Sequence, residues 1–398
     1  MKTVEPTDVP GLPLPARRLR IAVLNRYFSS TGGGAERYSM ALVEQLAARH
    51  EIHVFAQQID HQWPGVTYHQ VSQLARRPRW LNQLWYAGVT WWATRSGFDV
   101  VHSHENTWHG NVQTVHVLPV KYKLFHDRHG FSLALRWLKV LTSPRLLVYL
   151  WLERCRMSLR RRRAIVVTAT GLIEPAALAY PACGAAIQVI TPGVAQVVGP
   201  ASEPQRRSAR LRLGLPIGGR CVLFVGNDFR RKGLPTLLQA LAQLPKDAYL
   251  AVAGNPSQIP LFKKQAELAG LAQRIHFLGS CKQMDDVYAA ADCLAHPTLE
   301  DSFAMVVLEA LAHGLPVVVS EEKYCGIASL LTDETHALLL SDPTDAKALA
   351  QALRRLLDDA ALRQRLTRSA SQFARQHLWA AVARQQETIY QALCKPSR

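Results

Sequence analysis

The sequence predicts an α/β protein made of two doubly wound domains in tandem. Short apolar runs rich in β-branched residues alternate with longer helical segments along most of the chain, a pattern typical of parallel sheets covered on both faces by helices. The chain has 398 residues, which is too long for one ordinary core. The alternation is interrupted at residues 195–219, which are rich in Pro, Gly and Arg and predict an interdomain connection with a short basic helix.

The first half predicts a strand, an amphipathic helix and then further strands. Residues 20–26 form the first apolar run, residues 34–50 have the apolar spacing of a helix, and residues 51–57 form the next run. Later strands are predicted at residues 98–104, 112–118, 164–170 and 186–192.

The second half repeats this alternation. Strands are predicted at residues 221–227, 248–254, 274–280, 293–298 and 316–320. Helices are predicted between them at residues 233–244, 261–272 and 284–292, and residues 343–394 predict two or three more helices. Ligand sites are expected at the carboxyl ends of the strands in each domain.

Composition and charge indicate a globular protein with an anionic partner. Hydrophobic residues make up 48% and charged residues 19% of the chain, and 47 Lys and Arg against 30 Asp and Glu give a net charge of +17. Seven scattered cysteines without a C-x-x-C pair favour a reducing cytoplasm and argue against a zinc site. We expect neither a signal peptide nor a spanning helix, because no suitable apolar run occurs.

Two loops could approach a phosphate. Residues 29–39 place three glycines between the first strand and its helix, although the spacing is not G-x-G-x-x-G and a plain flexible loop would look the same. Residues 226–238 contain Arg230, Arg231 and Lys232 directly before Gly233 and a helix. These cations could grip phosphate oxygens or could form an ordinary solvated turn, and their position after a strand favours the first reading.

An acidic, otherwise apolar segment follows at residues 298–320. Helical periodicity predicts a helix with Ser302 as its N-cap and Gly314 just beyond its end. If the helical phase extends back to Asp301, its side chain lies on the same side as Glu309, whereas Glu300 lies opposite and reads as a surface charge. Asp301 could simply favour a helix N-terminus. Glu309 needs a partner, because an unpaired carboxylate within an apolar helix is costly.

Four histidines cluster near the ends of two predicted strands: His102, His104, His109 and His116. No H-E-x-x-H or similar metal spacing is present, so a metal site is only conceivable, and a lone strand histidine is more often structural. A histidine at the mouth of a cleft could instead hydrogen-bond a sugar hydroxyl or accept a proton.

A basic, aromatic region lies between these motifs. Residues 80–98 hold four tryptophans, and residues 121–163 carry twelve Lys or Arg, including the run 160–163, against two acids. Such helices suit a membrane interface with anionic lipid. A buried amphipathic helix and a nucleic-acid surface are the alternatives, but no nucleic-acid module is recognisable. We therefore favour the membrane surface and expect no nucleic-acid partner.

Together these motifs resemble those of retaining, nucleotide-sugar-dependent glycosyltransferases of family 4, which have the GT-B fold of two Rossmann-like domains facing a central cleft. The resemblance rests on Gly33, Gly34 and Arg37, on residues 190–194 and 230–233, and on the segment from Asp301 to residue 318. Within the family, the lipopolysaccharide-core glucosyltransferases are the most similar type. Asp301 and Glu309 have the spacing of the family's E-x7-E motif, with Asp in place of the first Glu. Ala304 replaces the family's usual glycine.

The resemblance implies roles for individual residues. Glu309 would accept hydrogen bonds from the ribose, Arg231 and Lys232 would neutralise the leaving diphosphate, and Asp301 would bind sugar hydroxyls. Backbone N–H groups of Phe303, Ala304 and Met305 would contact the diphosphate or sugar, Gly33 and Gly34 would let their loop approach the donor, and His116 would lie near the reacting sugar. Asp301, Lys232, Arg231 and His116 are thus the predicted catalytic residues, with no metal and no cofactor besides the nucleotide sugar.

The resemblance also implies domains and activity. Residues 1–195, joined by a terminal helix at about 376–398, would form the acceptor-side domain, and residues 196–375 the nucleotide-sugar domain. We expect a glycosyltransferase at the cytoplasmic face of the inner membrane that uses a nucleoside diphosphate sugar, with UDP favoured, and a lipid-linked or lipopolysaccharide-core acceptor. The alternatives are a non-catalytic basic membrane- or nucleic-acid-binding protein and a nucleotide-sugar epimerase of the same fold.

Overall fold

The chain folds into two compact units, seen in a computed structural model that describes residues 17–29, 33–74, 77–159 and 162–394. The first unit comprises Met1–Thr191 together with Trp379–Arg398, and the second unit comprises Pro192–Leu378. Residues 1–16, on which the signal-peptide prediction rests, and residues 30–32 and 160–161 lie outside the described ranges.

The strands form two main parallel sheets, one in each unit, and a two-stranded pair. In chain order the strands are β1 (Arg20–Leu24), β2 (Tyr27–Phe28), β3 (Glu51–Ala56), β4 (Gln58–Ile59), β5 (Val66–Gln70), β6 (Val100–Ser103), β7 (Val112–Val115), β8 (Ala164–Val167), β9 (Ile187–Val189), β10 (Arg220–Gly226), β11 (Ala248–Gly254), β12 (Ile275–Gly279), β13 (Cys293–His296), β14 (Val317–Ser320) and β15 (Leu338–Leu340).

Helices connect these strands, as parallel pairing requires. They are α1 (Gly34–Ala47), α2 (Arg79–Thr94), α3 (Val120–Phe125), α4 (Gly130–Leu141), α5 (Pro144–Met157), α6 (Ile173–Ala179), α7 (Glu203–Arg212), α8 (Leu234–Gln243), α9 (Ile259–Leu268), α10 (Met284–Ala289), α11 (Met305–Ala312), α12 (Ala346–Asp358), α13 (Ala360–Gln376) and α14 (Trp379–Cys394). Within the described ranges, none of these helices is both long and apolar enough to cross a bilayer.

The first sheet has the order β5-β3-β1-β6-β7-β8-β9, and the second has the order β12-β11-β10-β13-β14-β15. Every strand pair within them is parallel. In each sheet the chain starts near the middle, adds strands on one side, and then returns to add strands on the other. The prediction of two doubly wound, Rossmann-like α/β domains is therefore confirmed.

The second sheet is covered by the apolar faces of helices. Phe224 on β10 and Leu250 on β11 are fully buried in one core with Leu237 of α8 and Leu353 of α12. This burial explains why the central strands read as continuous apolar runs rather than as alternating ones. Strands buried on both faces also hold the strand ends at fixed positions, where the candidate site lies.

The segment expected to connect the domains packs as part of the second unit. Its predicted basic helix is α7, which begins after a capping box at Ser202. Arg210 of α7 is buried and donates to Asp292 Oδ2 at 2.8 Å and to the Ala290 carbonyl at 2.9 Å. The arginines of this segment thus anchor it to α10 and the start of β13, and do not leave it as a free linker.

The terminal helix α14 completes the first unit. Its Tyr390 hydroxyl lies 2.6 Å from His102 Nδ1 on β6, and Glu387 accepts from Nε and Nη2 of Arg49, with Oε2 3.0 Å from Nη2. Trp379 packs edge-on against Tyr38 of α1, with ring centroids 5.3 Å apart. The helix after the second unit therefore belongs structurally to the first.

Candidate active site

The candidate site of the second unit lies where the strand order reverses. β10 and β13 are neighbours in the sheet, but the chain runs outward from β10 to β12 before it returns to β13. The turn after β10 carries Arg231 and Lys232, and the loop after β13 carries Asp301. Such a reversal leaves a crevice beyond the carboxyl ends of the two strands, which is where doubly wound sheets bind ligands.

Gly233 allows the two loops to meet. Its φ is +83°, and a Cβ built on it would lie 1.8 Å from the Pro297 carbonyl oxygen of the other loop. Leu299 N also donates to the Arg231 carbonyl at 2.8 Å. Only glycine fits this close approach of two backbones. The glycine of the basic turn is therefore required by the contact that brings Lys232 to Asp301.

Lys232 and Asp301 form a tight, mostly buried pair. Lys232 Nζ lies 2.6 Å from Asp301 Oδ2 and donates to the main-chain carbonyl of Glu300 at 3.1 Å. His296, the last residue of β13, donates from Nε2 to the same Asp301 oxygen at 3.1 Å. The side chain of Lys232 is 14% exposed and that of Asp301 is 18% exposed. One carboxylate thus joins a cation, an imidazole and the start of the next helix.

The charges of this cluster are set by their neighbours. Burial alone would raise the pKa of Asp301, but the hydrogen bond from His296 and the charge of Lys232 outweigh it and hold that pKa well below its usual range. Burial lowers the pKa of His296, against the opposing effect of Asp301. At neutral pH the cluster therefore contains an ionised Asp301 and a neutral His296, with Lys232 as the charge partner.

The start of α11 differs from the prediction. The helix begins at Met305, and its N-cap is Ala304, which has φ +66°. The prediction that Ser302 is the N-cap is therefore wrong. Instead, Asp301 Oδ1 accepts from the backbone N–H groups of Ala304 at 3.0 Å and of Phe303 at 3.4 Å. These N–H groups could favour an incoming phosphate, and their predicted contact with a diphosphate stays a prediction.

Asp301 does not lie on the helix of Glu309. Its backbone bridges to Cys325, with its N–H donating to the Tyr324 carbonyl at 2.8 Å and its carbonyl accepting from Gly326 N at 3.0 Å. The assumption of a continuous helical phase from Asp301 to Glu309 is therefore wrong. At the other end of α11, Gly314 has φ +64° and follows the helix, as predicted.

Glu309 has a specific partner. The hydroxyl of Tyr288 on α10 donates to Glu309 Oε2 at 2.6 Å, and Tyr288 is 2% exposed. Glu309 itself is half-buried. The predicted need for a partner is met by a short hydrogen bond, and a carboxylate held in this way can still use its remaining lone pairs to accept from a ligand.

Arg231 faces a different direction from Lys232. Its side chain is 51% exposed, and Nε lies 3.6 Å from Asp228 Oδ2 in the same turn. The structure thus brings Lys232, Asp301, Phe303 and Ala304 together, whereas the Arg231 guanidinium lies on the exposed side of the turn. An exposed ion pair of this kind contributes little to stability.

The first unit holds Gly33, Gly34 and His116. Gly33 is the N-cap of α1, and Gly34 is the first residue of that helix, so both stand at a helix start near the carboxyl end of the first sheet. His116 follows β7, and its Nε2 lies 3.0 Å from His104 Nδ1. The ring of Tyr38, from α1, contacts the ring of His116 with centroids 5.2 Å apart.

Three of the four predicted histidines pack ring against ring. The ring centroids of His102 and His104 are 4.2 Å apart, and those of His104 and His116 are 5.3 Å apart, whereas His109 contacts Trp108 instead. Burial, with a contribution from the Arg156 charge, lowers the pKa of His116 to about 3. His116 is thus neutral at physiological pH and suited to hydrogen bonding. In the described part of the chain, no group of three or more potential ligands has the geometry to hold a metal ion.

Two residues of the site went unnoticed in the sequence. His296 closes an apolar strand with a polar side chain beside the strand-order reversal, and that position was the available signal. Tyr288 lies in a short helix with a mixed pattern, and nothing in its spacing relates it to Glu309. The sequence separation of 21 residues is bridged only by the packing of α10 on α11.

Two family models match the chain. Residues 205–373 match "Glycosyl transferases group 1", and residues 32–196 match "Glycosyltransferase Family 4". The chain belongs to these two-domain glycosyltransferases. The candidate site around Lys232, Asp301 and Glu309 lies in the group 1 domain of this glycosyltransferase chain, and Gly33, Gly34 and His116 lie in its family 4 domain.

Named relatives have different activities. The chain is 32% identical over 227 residues to a D-inositol 3-phosphate glycosyltransferase of Corynebacterium urealyticum, covering 54% of this chain and 53% of that protein. It is 31% identical over 173 residues to the lipopolysaccharide glucosyltransferase WaaG of Escherichia coli K12, covering 42% of this chain and 46% of that protein. The matched part spans about half the length of these relatives.

Solved structures share the whole fold. The crystal structure of WaaG, a glycosyltransferase involved in lipopolysaccharide biosynthesis, superposes with a TM-score of 0.79 at 23% identity, covering 93% of this chain and 99% of that one. Anabaena Alr3699/HepE in complex with UDP and glucose superposes with a TM-score of 0.73 at 17% identity, covering 94% of this chain and 100% of that one. These similarities identify the fold as GT-B.

Proposed function

We propose that this protein transfers a sugar from a UDP-sugar, with retention, to a lipid-linked acceptor of the lipopolysaccharide-core type. The observation that carries the proposal is the Lys232–Asp301 pair at the strand-order reversal of the group 1 domain. Nζ of Lys232 is a buried cation at a position where a diphosphate can reach it. A preorganised cation of this kind stabilises negative charge as it develops on a leaving group.

In this proposal the diphosphate of a bound donor replaces Asp301 as the partner of Lys232. In the structure Asp301 holds Lys232 Nζ at 2.6 Å, and a diphosphate would compete with that carboxylate for the same cation. Asp301 would then be released to accept from sugar hydroxyls, and Glu309, held by Tyr288, would accept from the ribose. In this proposal Arg231 would turn from the exposed side of its loop to join Lys232 in balancing the diphosphate charge, so no metal is required. The HepE complex with UDP and glucose supports UDP as the nucleotide.

The acceptor proposal rests on the relatives and on one exposed helix. WaaG, at 31% identity, supports a lipopolysaccharide-core acceptor. Helix α4 supports a lipid surface, because Val140 is its one fully buried residue while Phe131 is 79% and Leu138 is 59% exposed. Residues 121–163 around it carry twelve cations against two acids, which suits anionic lipid. The unpaired cysteines, all free in the structure, suit the cytoplasmic face of the membrane.

A phosphorylated inositol is a second candidate acceptor. The relative at 32% identity is a D-inositol 3-phosphate glycosyltransferase, and the net charge of +17 would also attract a small phosphorylated substrate. The two acceptor classes differ in whether the exposed apolar face of α4 is needed. Transfer to inositol phosphate would not depend on that face, whereas transfer to a lipid-linked core would.

Donor turnover tests the site. A panel of nucleotide sugars is screened with the purified protein, and release of the nucleoside diphosphate is measured. Lys232→Ala and Glu309→Ala should each lower turnover by roughly a hundredfold or more, because each would remove about 3 kcal/mol of transition-state stabilisation. Lys264→Ala, on the exposed side of α9, is the matched control and should be unaffected. Near-normal transfer by either site variant would exclude this assignment.

Vesicle binding tests the membrane part separately. Vesicles of phosphatidylcholine and phosphatidylglycerol should carry the protein upward in flotation, and Leu138→Glu should lower the bound fraction about tenfold, because a buried Leu contributes about 1.5–3 kcal/mol. Leu268→Glu, at a residue 81% exposed in the second unit, should leave binding intact. Binding to an oligonucleotide with equal strength would instead identify the basic region as a nucleic-acid surface.

A further inference from the structure

Helix α2 buries several polar side chains and leaves three tryptophans exposed. Its buried side combines Tyr86 and Ala87 with four polar residues, whereas Trp85, Trp91 and Trp92 are 39%, 47% and 65% exposed. Surface helices normally bury their apolar side. The buried polar residues are Asn82, Gln83, Thr90 and Thr94.

The buried polar groups show that this orientation is the stable one. Asn82 and Gln57 exchange two hydrogen bonds of 2.8 and 2.9 Å, and Gln83 Nε2 donates to the Asn106 carbonyl at 2.8 Å. The hydroxyls of Thr90 and Thr94 donate to helix carbonyls at 2.7 Å. Because every one of these groups has a hydrogen-bond partner, rotating the helix would break several buried bonds. The exposure of the three tryptophans is therefore a feature of the stable fold.

The exposed side is concave. It forms a groove of about 500 Å³, within the range of small-molecule sites. Trp85 stands at its edge, and its Nε1 donates to Ser72 Oγ at 3.1 Å, which fixes the ring. The groove is lined by the apolar side chains of Leu74, Leu81, Leu84, Trp85, Val89 and Trp92.

The chain segment that carries the groove has basic side chains and no acidic ones. Residues 61–98 contain four arginines and no Asp or Glu. Arg77 precedes α2 and Arg79 is its first residue, both of them exposed, and Arg95 directly follows its last turn. The Arg95 guanidinium lies over the ring of Trp92, 5.6 Å from its centroid. An apolar groove with an arginine at each end matches a molecule that has a hydrocarbon chain and an anionic head.

We propose that the α2 groove binds one hydrocarbon chain of an anionic lipid, with the head group held by the arginines at its ends. A concave site of limited volume fits a single chain, whereas the surface of a bilayer suits the exposed apolar side chains of α4. The proposal goes beyond sugar transfer and does not depend on it, because none of the groove residues belongs to the candidate active site.

Binding of dodecyl phosphate tests this proposal. The full-length protein is titrated calorimetrically with dodecyl phosphate below its micelle concentration, and we expect saturable binding of one molecule per chain. Val89→Glu should weaken binding at least tenfold, because a carboxylate would enter the apolar groove and repel the head group. Trp91→Gln, on the same helix but outside the groove, is the matched control and should bind normally. Leu138→Glu on α4 should also bind normally.

A second readout does not depend on variants that alter folding. Dodecyl phosphate with a terminal bromine should quench tryptophan fluorescence, and Trp85→Phe should remove a measurable part of that quenching without changing the volume of the groove greatly. Arg95→Gln should weaken binding several-fold and reduce its salt dependence. Absence of saturable binding, equal weakening by Val89→Glu and Trp91→Gln, or equally strong binding of inorganic phosphate would each overturn the proposal.

Discussion

Ala304 holds a backbone conformation that alanine disfavours. Its φ of +66° and ψ of +69° lie in the left-handed region, where an L-residue costs roughly 1–2 kcal/mol relative to glycine. The glycosyltransferases that the sequence resembles usually have glycine at this position. The positive φ explains that preference, because glycine adopts it without strain. The turn is kept because Asp301 accepts from the Ala304 N–H at 3.0 Å and because α11 follows directly.

Ala304→Gly should therefore stabilise the second unit. Relief of strain should exceed the added freedom of the unfolded chain, for a net gain of up to about 1 kcal/mol in the free energy of unfolding. Urea unfolding followed by circular dichroism measures this gain. Ala310→Gly, the same chemical change within α11, should instead cost about 1 kcal/mol. Equal destabilisation by both changes would contradict the strained turn.

At the residue scale the sequence indicated candidate site residues but not the way in which they pair. Lys232, Asp301 and Glu309 were identified from motif spacing, and the structure places Lys232 against Asp301. The partners His296 and Tyr288 were missed because each contact joins separate elements. Side-chain pairing of this kind depends on how loops meet in space, and Gly233 is the one local signal of that meeting.

At the scale of elements, α14 seals a cluster of neutral histidines against β6 and β7. His102 is hydrogen-bonded to Tyr390 of α14 and to Thr114 of β7, at 2.6 and 2.7 Å. Burial, with the nearby charge of Arg156, lowers the pKa of His102 to about 3. The pKa of His104 is lowered in the same way, by burial first and then by its histidine neighbours.

Acid should destabilise the first unit through these histidines. The folded pKa of His102 and His116 is about 3, whereas that of an unfolded histidine is about 6.5, so the unfolded chain binds more protons between these values. Stability is therefore complete above about pH 6.5 and falls as the pH drops towards 3, by up to about 1.4 kcal/mol per pH unit for each histidine. All nine tryptophans lie in the first unit, so tryptophan fluorescence during urea unfolding reports this loss.

A histidine variant provides the control for this pH dependence. His116→Asn should flatten the fall in stability between pH 7 and pH 4, although it lowers the stability at pH 7. His126→Asn, at a residue whose side chain is 38% exposed, should leave the slope unchanged. A slope that His116→Asn does not alter would mean that other groups cause the acid sensitivity.

Most strands and helices were predictable, and the exceptions have physical reasons. β5 has no fully buried residue, and β15 has only three residues, so neither has the long apolar run that predicts a parallel strand. The N-terminus of α11 was misplaced because Ser302 is a good N-cap by type, while Asp301 takes over the N–H groups that a cap would satisfy. Tertiary contacts overrode the local preference there.

At the scale of the whole molecule, the second unit is continuous in sequence and the first is not. Residues 192–378 form one unit with its own core, whereas the first unit needs α14 from beyond it. We predict that residues 192–378 expressed alone unfold cooperatively in urea, because they have a core of their own. Residues 1–191 alone should lack a cooperative transition, because Tyr38, His102 and Arg49 lose their α14 partners.

Complementation separates the role of α14 from general instability of the fragment. Adding a peptide of residues 379–394 to the 1–191 fragment should restore a cooperative transition, detected by tryptophan fluorescence. The same peptide with Glu387→Ala and Tyr390→Ala should restore much less, because it lacks the partners of Arg49 and His102. Full cooperativity of 1–191 without any peptide would contradict this dependence.

The position of α14 in the chain also affects how the protein can fold as it is made. A ribosome completes all of residues 192–378 before it reaches α14, although most of the first unit emerges earlier. The second unit can therefore acquire its native packing during synthesis, while the first waits with His102 and Tyr38 uncovered. During that interval the nascent first unit exposes the apolar surface that α14 later covers, and this is the stage at which we expect chaperones to bind the chain.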